Sequence, residues 1–304
     1  MLDRPFINDI ITRSAENATD RRRFLKSAGV AGLGVVGAGL LGSGTVSSAL
    51  AADSGPSDAA ILNFALNLED LEAEFYLNAV YGRGLPDSMT TGKGDRGRVI
   101  GGRQVHFRSD TVRGYAREIA ADERAHVQFL RATLGSAKVS RPTIDIKTSF
   151  TAAARAAGLI GPNQTFDPYA NQNNFLLAAF IFEDVGVTAY KGAAPLINNK
   201  TYLEAAAGIL AVEAYHASNI RTVLFERGLA AATVKISNAR DSLDGTRDDD
   251  QGVVNPNIVP TDRNGIAFSR TAGQVLNVVY LTPKKATSGG FFPDGVNGPI
   301  NTSS

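Results

Sequence analysis

The chain has 304 residues, 43% hydrophobic and 20% charged, with a formal net charge of +1, a composition that supports a globular core of one or two domains. So small a charge excludes the strong positive field of a nucleic-acid-binding protein. The absence of cysteine excludes disulfides, zinc ribbons, iron–sulfur clusters and thiol nucleophiles, so any metal must be held by carboxylate, imidazole or water, ligands that suit manganese, iron or zinc.

A basic segment follows the first twenty residues. Residues 21–26 read RRRFLK and lead into an uncharged run rich in Gly, Ala, Val and Leu, about as long as a membrane span. Arg21, Arg22, Phe24, Leu25 and Lys26 closely resemble a twin-arginine export signal, with Ala49-Leu50-Ala51 as a small-x-small cleavage site. Residues 1–51 are therefore expected to be an export signal, and the mature protein periplasmic or extracellular. A retained membrane anchor is the alternative, but the Gly- and Ala-rich run suits a removable signal better, without stable membrane insertion afterwards. Its removal takes six basic and four acidic residues, leaving 25 and 26 and a formal charge of −1. The twin-arginine route carries folded proteins, including many that take up a metal or cofactor before export.

Four long helices are predicted next. The first runs from Ser57 or Asp58 to Gly82, where a capping side chain and a glycine stop bracket helical periodicity. A Gly-rich, mostly basic loop at 83–108 separates it from the second, about Ser109 to Gly135. A short helix near 148–158 precedes the third, about Asn171 to Ile197, and the fourth, about Lys200 to Gly228. No alternating strand pattern interrupts them, so the fold class is all-α, a helix bundle over residues 52–228.

The bundle reads as two similar helix pairs, about 60–134 and 171–228. Glu69-Asp70 precedes Tyr76 as Glu183-Asp184 precedes Tyr190; Glu123-x-x-His126 with Arg131 is matched by Glu213-x-x-His216 with Arg221. Three helical residues advance about 300°, so each Glu and His project from one face a turn apart. One such pair alone is a weak signal, common on solvated surfaces. Two pairs, with Glu69 and Glu183 on the remaining helices, supply six ligands in the arrangement of ferritin-like di-iron and di-manganese carboxylate proteins. Glu69, Glu123, His126, Glu183, Glu213 and His216 are therefore the predicted metal ligands, for two iron or manganese ions.

Around them, Tyr76 and Tyr190 are candidate donors to the ligands or redox-active phenols, with core packing as the alternative. Asp70, Asp122 and Asp184 are candidates to hold the outer imidazole nitrogens. No Asp precedes Glu213, where Val212 stands, so His216 needs a partner from another helix. Glu72 is a candidate supplementary ligand, and Glu74 is expected to be solvated. Arg131 and Arg221 are expected to pair with buried carboxylates. His106 and the cluster Arg96, Arg98, Arg103 and Arg108 are read as surface or interface loop.

Residues 229–304 are predicted to be a mostly irregular extension: a short helix near 233–243, the charged turn GTRDDDQG, and the apolar TAGQVLNVVYL. That stretch and Phe291-Phe292-Pro293 are expected to dock on the bundle or on a neighbouring subunit, which would make a homo-oligomer.

FALNLEDLEAEFYLNAVYG, ADERAHVQFLR, FIFEDVGVTAY and GGFFPDGVNG resemble the ferritin-like superfamily, and within it the proteins that include plant desiccation-related proteins and exported bacterial homologues, over about residues 57–298. The resemblance implies a ferritin-like four-helix bundle with metal-binding potential. Such a dinuclear site reacts most naturally with oxygen or peroxide, which makes a di-metal oxidoreductase the first expectation. A non-enzymatic metal-binding or structural stress protein is the second.

Overall fold

The computed structural model describes residues 55–304; the predicted export signal lies outside them. Four long helices form the frame: α1 Asp58–Tyr81, α2 Asp110–Leu134, α4 Gln172–Ala193 and α5 Lys200–Glu226. Between α2 and α4 lies α3, Thr148–Ala156, and after α5 come α6, Ala230–Asp244, and α7, Ala272–Val279. Each long helix starts at a side-chain cap. Ser57 and Ser109 accept from the amides of Ala60 and Val112, and Asn171 and Asn199 each accept from two amides of the following turn, satisfying donors a helix start leaves open. At the other end of α1, Gly82 adopts φ 69° and its N–H closes on the Asn78 carbonyl.

The helices pack as two antiparallel pairs, α1 with α2 and α4 with α5. Asn63 near the start of α1 bonds the Ala137 carbonyl just beyond the end of α2 (3.0 Å), and Arg227 beyond α5 bonds Asn173 at the start of α4 (2.7 Å). α1 and α4 form the centre, their buried residues facing every side. Their aromatic rings merge around Phe75, which packs against Phe150, Tyr169, Phe175 and Phe182 at centroid distances of 5.4–5.9 Å. Full burial of α1 corrects one expectation: Glu74 is buried and ion-paired with Arg141, because the connection after α2 covers the face that periodicity alone leaves to solvent.

Two strands of two residues each, β1 Val99–Ile100 and β2 Ile144–Asp145, pair in parallel, Val99 with Ile144 and Ile100 with Asp145. They are too short to show an alternating pattern. They tie the 83–108 loop to the segment before α3.

The extension is built into the same compact unit as the bundle. Phe291 and Phe292 are fully buried, and Phe291 packs edge-on against Phe150 and Phe182, each at 5.0 Å. The docking surface for this pair is therefore the chain's own bundle. Asn297 exchanges two hydrogen bonds of 2.9 Å with the buried Asn67 of α1. The turn GTRDDDQG also turns inward, for Asp249 and Asp250 are buried. Asp250 joins Arg240 and Arg270, Arg240 reaches Asp184 at 3.1 Å, and Asp184 bonds Arg221 at 2.8 Å. This chain of buried charges runs from the extension to the residue next to Glu183. No described helix is long and apolar enough to cross a membrane.

Candidate metal centre

The six predicted ligands meet in the middle of the bundle. α1 supplies Glu69, α2 Glu123 and His126, α4 Glu183, and α5 Glu213 and His216, and all six are buried. Two groups of four each present one donor atom apiece, all within 4.8 Å of one another: Glu69, Glu123, His126 and Glu213, and Glu123, Glu183, Glu213 and His216. Glu123 and Glu213 belong to both. His126 turns Nδ1 inward, 3.1 Å from Glu69 and 3.6 Å from both Glu123 and Glu213. His216 does the same, 3.1 Å from Glu123 and 3.6 Å from Glu183, and the two rings lie 6.5 Å apart.

Several of the donors are aimed at the interior without hydrogen bonds to satisfy them. Among the described residues, both carboxylate oxygens of Glu123 and of Glu213, Oε2 of Glu183 and Nδ1 of His216 have no hydrogen-bond partner. Buried polar atoms in native proteins are almost always partnered, and a group of charged carboxylates in a dry core is costly without a counter-charge. Oxygen and imidazole nitrogen are the donors that iron, manganese and zinc accept, and four carboxylates with two neutral imidazoles balance two divalent cations. The residues present therefore fit a metal group.

Without a cation, protons take its place. Burial works against the positive charge on both histidines, but Glu69 and Glu123 beside His126 push it up to about 10, and Glu123 and Glu183 push His216 up to about 12. Burial likewise opposes the charge on Glu123, yet His126 and His216 outweigh it and hold that carboxyl at about 2. Burial raises Glu69 to about 7 and Glu213 well above the usual carboxylate range, the latter helped by the charge of Glu123.

The surrounding side chains form a crosswise brace. Tyr76 of α1 donates its hydroxyl to Glu183 of α4, and Tyr190 of α4 donates to Glu69 of α1. Asp122 reaches from α2 to His216 on α5, where Nε2 lies 3.1 Å from Oδ2. The other two candidates for that role do different work. Asp184 is held by Arg221 and Arg240, and Asp70 is buried without a hydrogen bond among the described residues, its carboxyl raised by burial against the opposing charge of Arg131. Arg131 itself bonds the Thr91 carbonyl. Glu72 is buried and raised by burial and by the charges of Glu123, Glu183 and Glu69, but it stands in neither group of four. His106 is exposed, Arg96 pairs with Asp87 and Arg103 with Asp167, away from the cluster.

Sequence reasoning did not single out Gly186. It occupies in α4 the place that Glu72 has in α1, three residues after the predicted ligand. A Cβ on Gly186 would lie 2.6 Å from Oε2 of Glu213, so the missing side chain is what lets that carboxylate approach α4. The internal repeat carries the signal: Glu72 and Gly186 are its most unlike pair on this face.

Comparison with known proteins agrees with this architecture. Residues 57–226 match the family described as Ferritin-like domain. The chain is 31% identical over 268 residues to "Desiccation-related protein PCC13-62" of Craterostigma plantagineum, across 81% of this chain and 85% of that one. It is 30% identical over 269 residues to "Ferritin-like catalase Nec2" of Nesocodon mauritianus, across 80% and 85%. No solved structure matches it. Paired helices, a buried carboxylate–histidine cluster and a match over more than half the chain lead to one conclusion: the protein belongs to the ferritin-like domain family.

Proposed function

We propose that the protein holds two iron or manganese ions between Glu69, Glu123, His126, Glu183, Glu213 and His216, and uses them to decompose hydrogen peroxide. The observation that carries this reading is the set of inward-facing donors without hydrogen-bond partners. Peroxide is preferred over molecular oxygen, the other substrate such a site would take, because a relative aligned over 80% of the chain is named a catalase. When bound, a redox metal pair supplies a two-electron store through which two molecules of peroxide become one of oxygen and two of water. The chain's own residues do the rest. Tyr76 and Tyr190 fix the carboxylates of Glu183 and Glu69 by hydrogen bonds, and the apolar flanks of α1 and α4 keep bulk water from the cluster. Asp122, with its side chain 41% exposed, links His216 to the surface.

The motif at Arg21 and Arg22 supports export in the folded state, which puts the activity in the periplasm or outside the cell as stress protection. A non-enzymatic role in desiccation is the second reading, supported by the relative named for desiccation.

The test is an oxygen electrode. Metal-free protein reloaded with manganese or iron is expected to release one oxygen per two peroxides, and the metal-free form none. Bound metal without turnover would favour the second reading, and a protein that takes up zinc alone would end the redox proposal.

A further inference from the structure

The two halves of the cluster differ at one position beside it. α2 reads Asp122-Glu123-x-x-His126, whereas α5 reads Val212-Glu213-x-x-His216. Across the helix pair, Nε2 of His216 donates to Oδ2 of Asp122 at 3.1 Å while Nδ1 faces Glu123 and Glu183. His126 has the same inward Nδ1, but among the described residues nothing hydrogen-bonds its Nε2, and the mirrored position holds the half-buried, apolar Val212. A histidine whose outer N–H meets a carboxylate is locked in one tautomer and has a more basic inner nitrogen.

Resting on the metal-centre reading above, we propose that Asp122 is a positioning residue that makes the two metal positions unequal. The position bounded by Glu123, Glu183, Glu213 and His216 is the tighter and fills first; the one bounded by Glu69, Glu123, His126 and Glu213 fills second. One carboxylate on one imidazole thus sets the order in which a nearly symmetric site is loaded.

The probe is Mn(II), added to the metal-free full chain and followed by calorimetry and electron paramagnetic resonance. Wild type is expected to bind in two steps, an isolated Mn(II) signal at half-loading giving way to that of a coupled pair. Asp122→Asn is expected to weaken the first step about 10–100-fold and to leave the second within about twofold. Val212→Asp, which places a carboxylate at the mirrored position, is expected to strengthen the second step. A merely structural role would weaken both steps together or neither, and that result in Asp122→Asn overturns the proposal. Should Asp122→Asn not fold, unchanged constants in Val212→Asp overturn it. Two ions bound with identical constants in all three proteins would leave the metal centre standing and remove only the loading order. A wild type that binds no manganese or iron would remove both.

Discussion

Replacing Glu123 with glutamine is expected to empty both metal positions at once. Glu123 is one of two carboxylates common to the two groups of four, and no other buried residue of α2 offers an oxygen to the cluster. Losing an outer hydrogen-bond partner of a metal ligand costs about 10–100-fold in affinity, so losing a ligand shared by both ions should cost at least about 100-fold. Metal analysis after dialysis checks this, with peroxide turnover falling in parallel. The same substitution predicts a change in the metal-free protein. Glu123 is among the groups that raise His126 and His216 against their burial, so without its charge both imidazoles should titrate at lower pH, as NMR of the ring protons would register. The sign follows for metal binding in wild type. Below about pH 10 both histidines hold protons that a metal must displace, so affinity should rise with pH up to about 10, where His126 loses its proton. Glutamine gives up the pairing of Glu123 with His126 and His216 but also removes a charge that raises Glu69, Glu72, Glu183 and Glu213; the two effects oppose, so the metal-free variant is expected to remain folded. Retention of both ions by Glu123→Gln would mean the ligands are wrongly assigned.

Arg270→Met is expected to give the largest loss of stability. Its guanidinium is fully buried, bonded to Asp244 and Asp250 and to the Thr188 hydroxyl of α4 at 3.0 Å. Burial opposes its charge, but Asp250 and Asp244 together raise it above the ordinary arginine value. Removing one member of a buried ion network leaves its partners charged and uncompensated, at a cost of about 3–5 kcal/mol. Methionine keeps most of the volume, which confines the effect to charge. Denaturant unfolding should give this loss, and Arg270→Met combined with Asp244→Leu should recover part of it, because the stranded carboxylate is then gone. A loss below about 1 kcal/mol would show that the network contributes little. Because the network ends on Asp184, beside Glu183, the variant is also expected to bind metal less tightly.

The difference between these two regions shows what the sequence made legible. The carboxylate–histidine cluster could be read because its signal is local: Glu123 and His126, and Glu213 and His216, are three residues apart, and helical geometry brings such a pair to one face. The internal repeat then located Glu69 and Glu183. Helix starts were legible for the same reason, since Ser57, Ser109 and Asn171 are caps that act within one turn. Partners across long stretches of chain left no comparable mark. Nothing in GTRDDDQG tells a solvated turn from one that buries Asp250 against Arg240 and Arg270. Glu74 sits in a helix whose periodicity promises an exposed side, and only the later packing of Arg141 buries it. That Asp122 serves His216 rather than its own neighbour His126 depends on how α2 and α5 face each other, a tertiary fact.

The most direct measurement is anomalous diffraction from crystals of the metal-loaded protein, collected on both sides of the iron or manganese absorption edge. A two-metal centre places two anomalous peaks inside the bundle, one enclosed by Glu69, Glu123, His126 and Glu213 and the other by Glu123, Glu183, Glu213 and His216. Peaks only at the protein surface, or none, would contradict it.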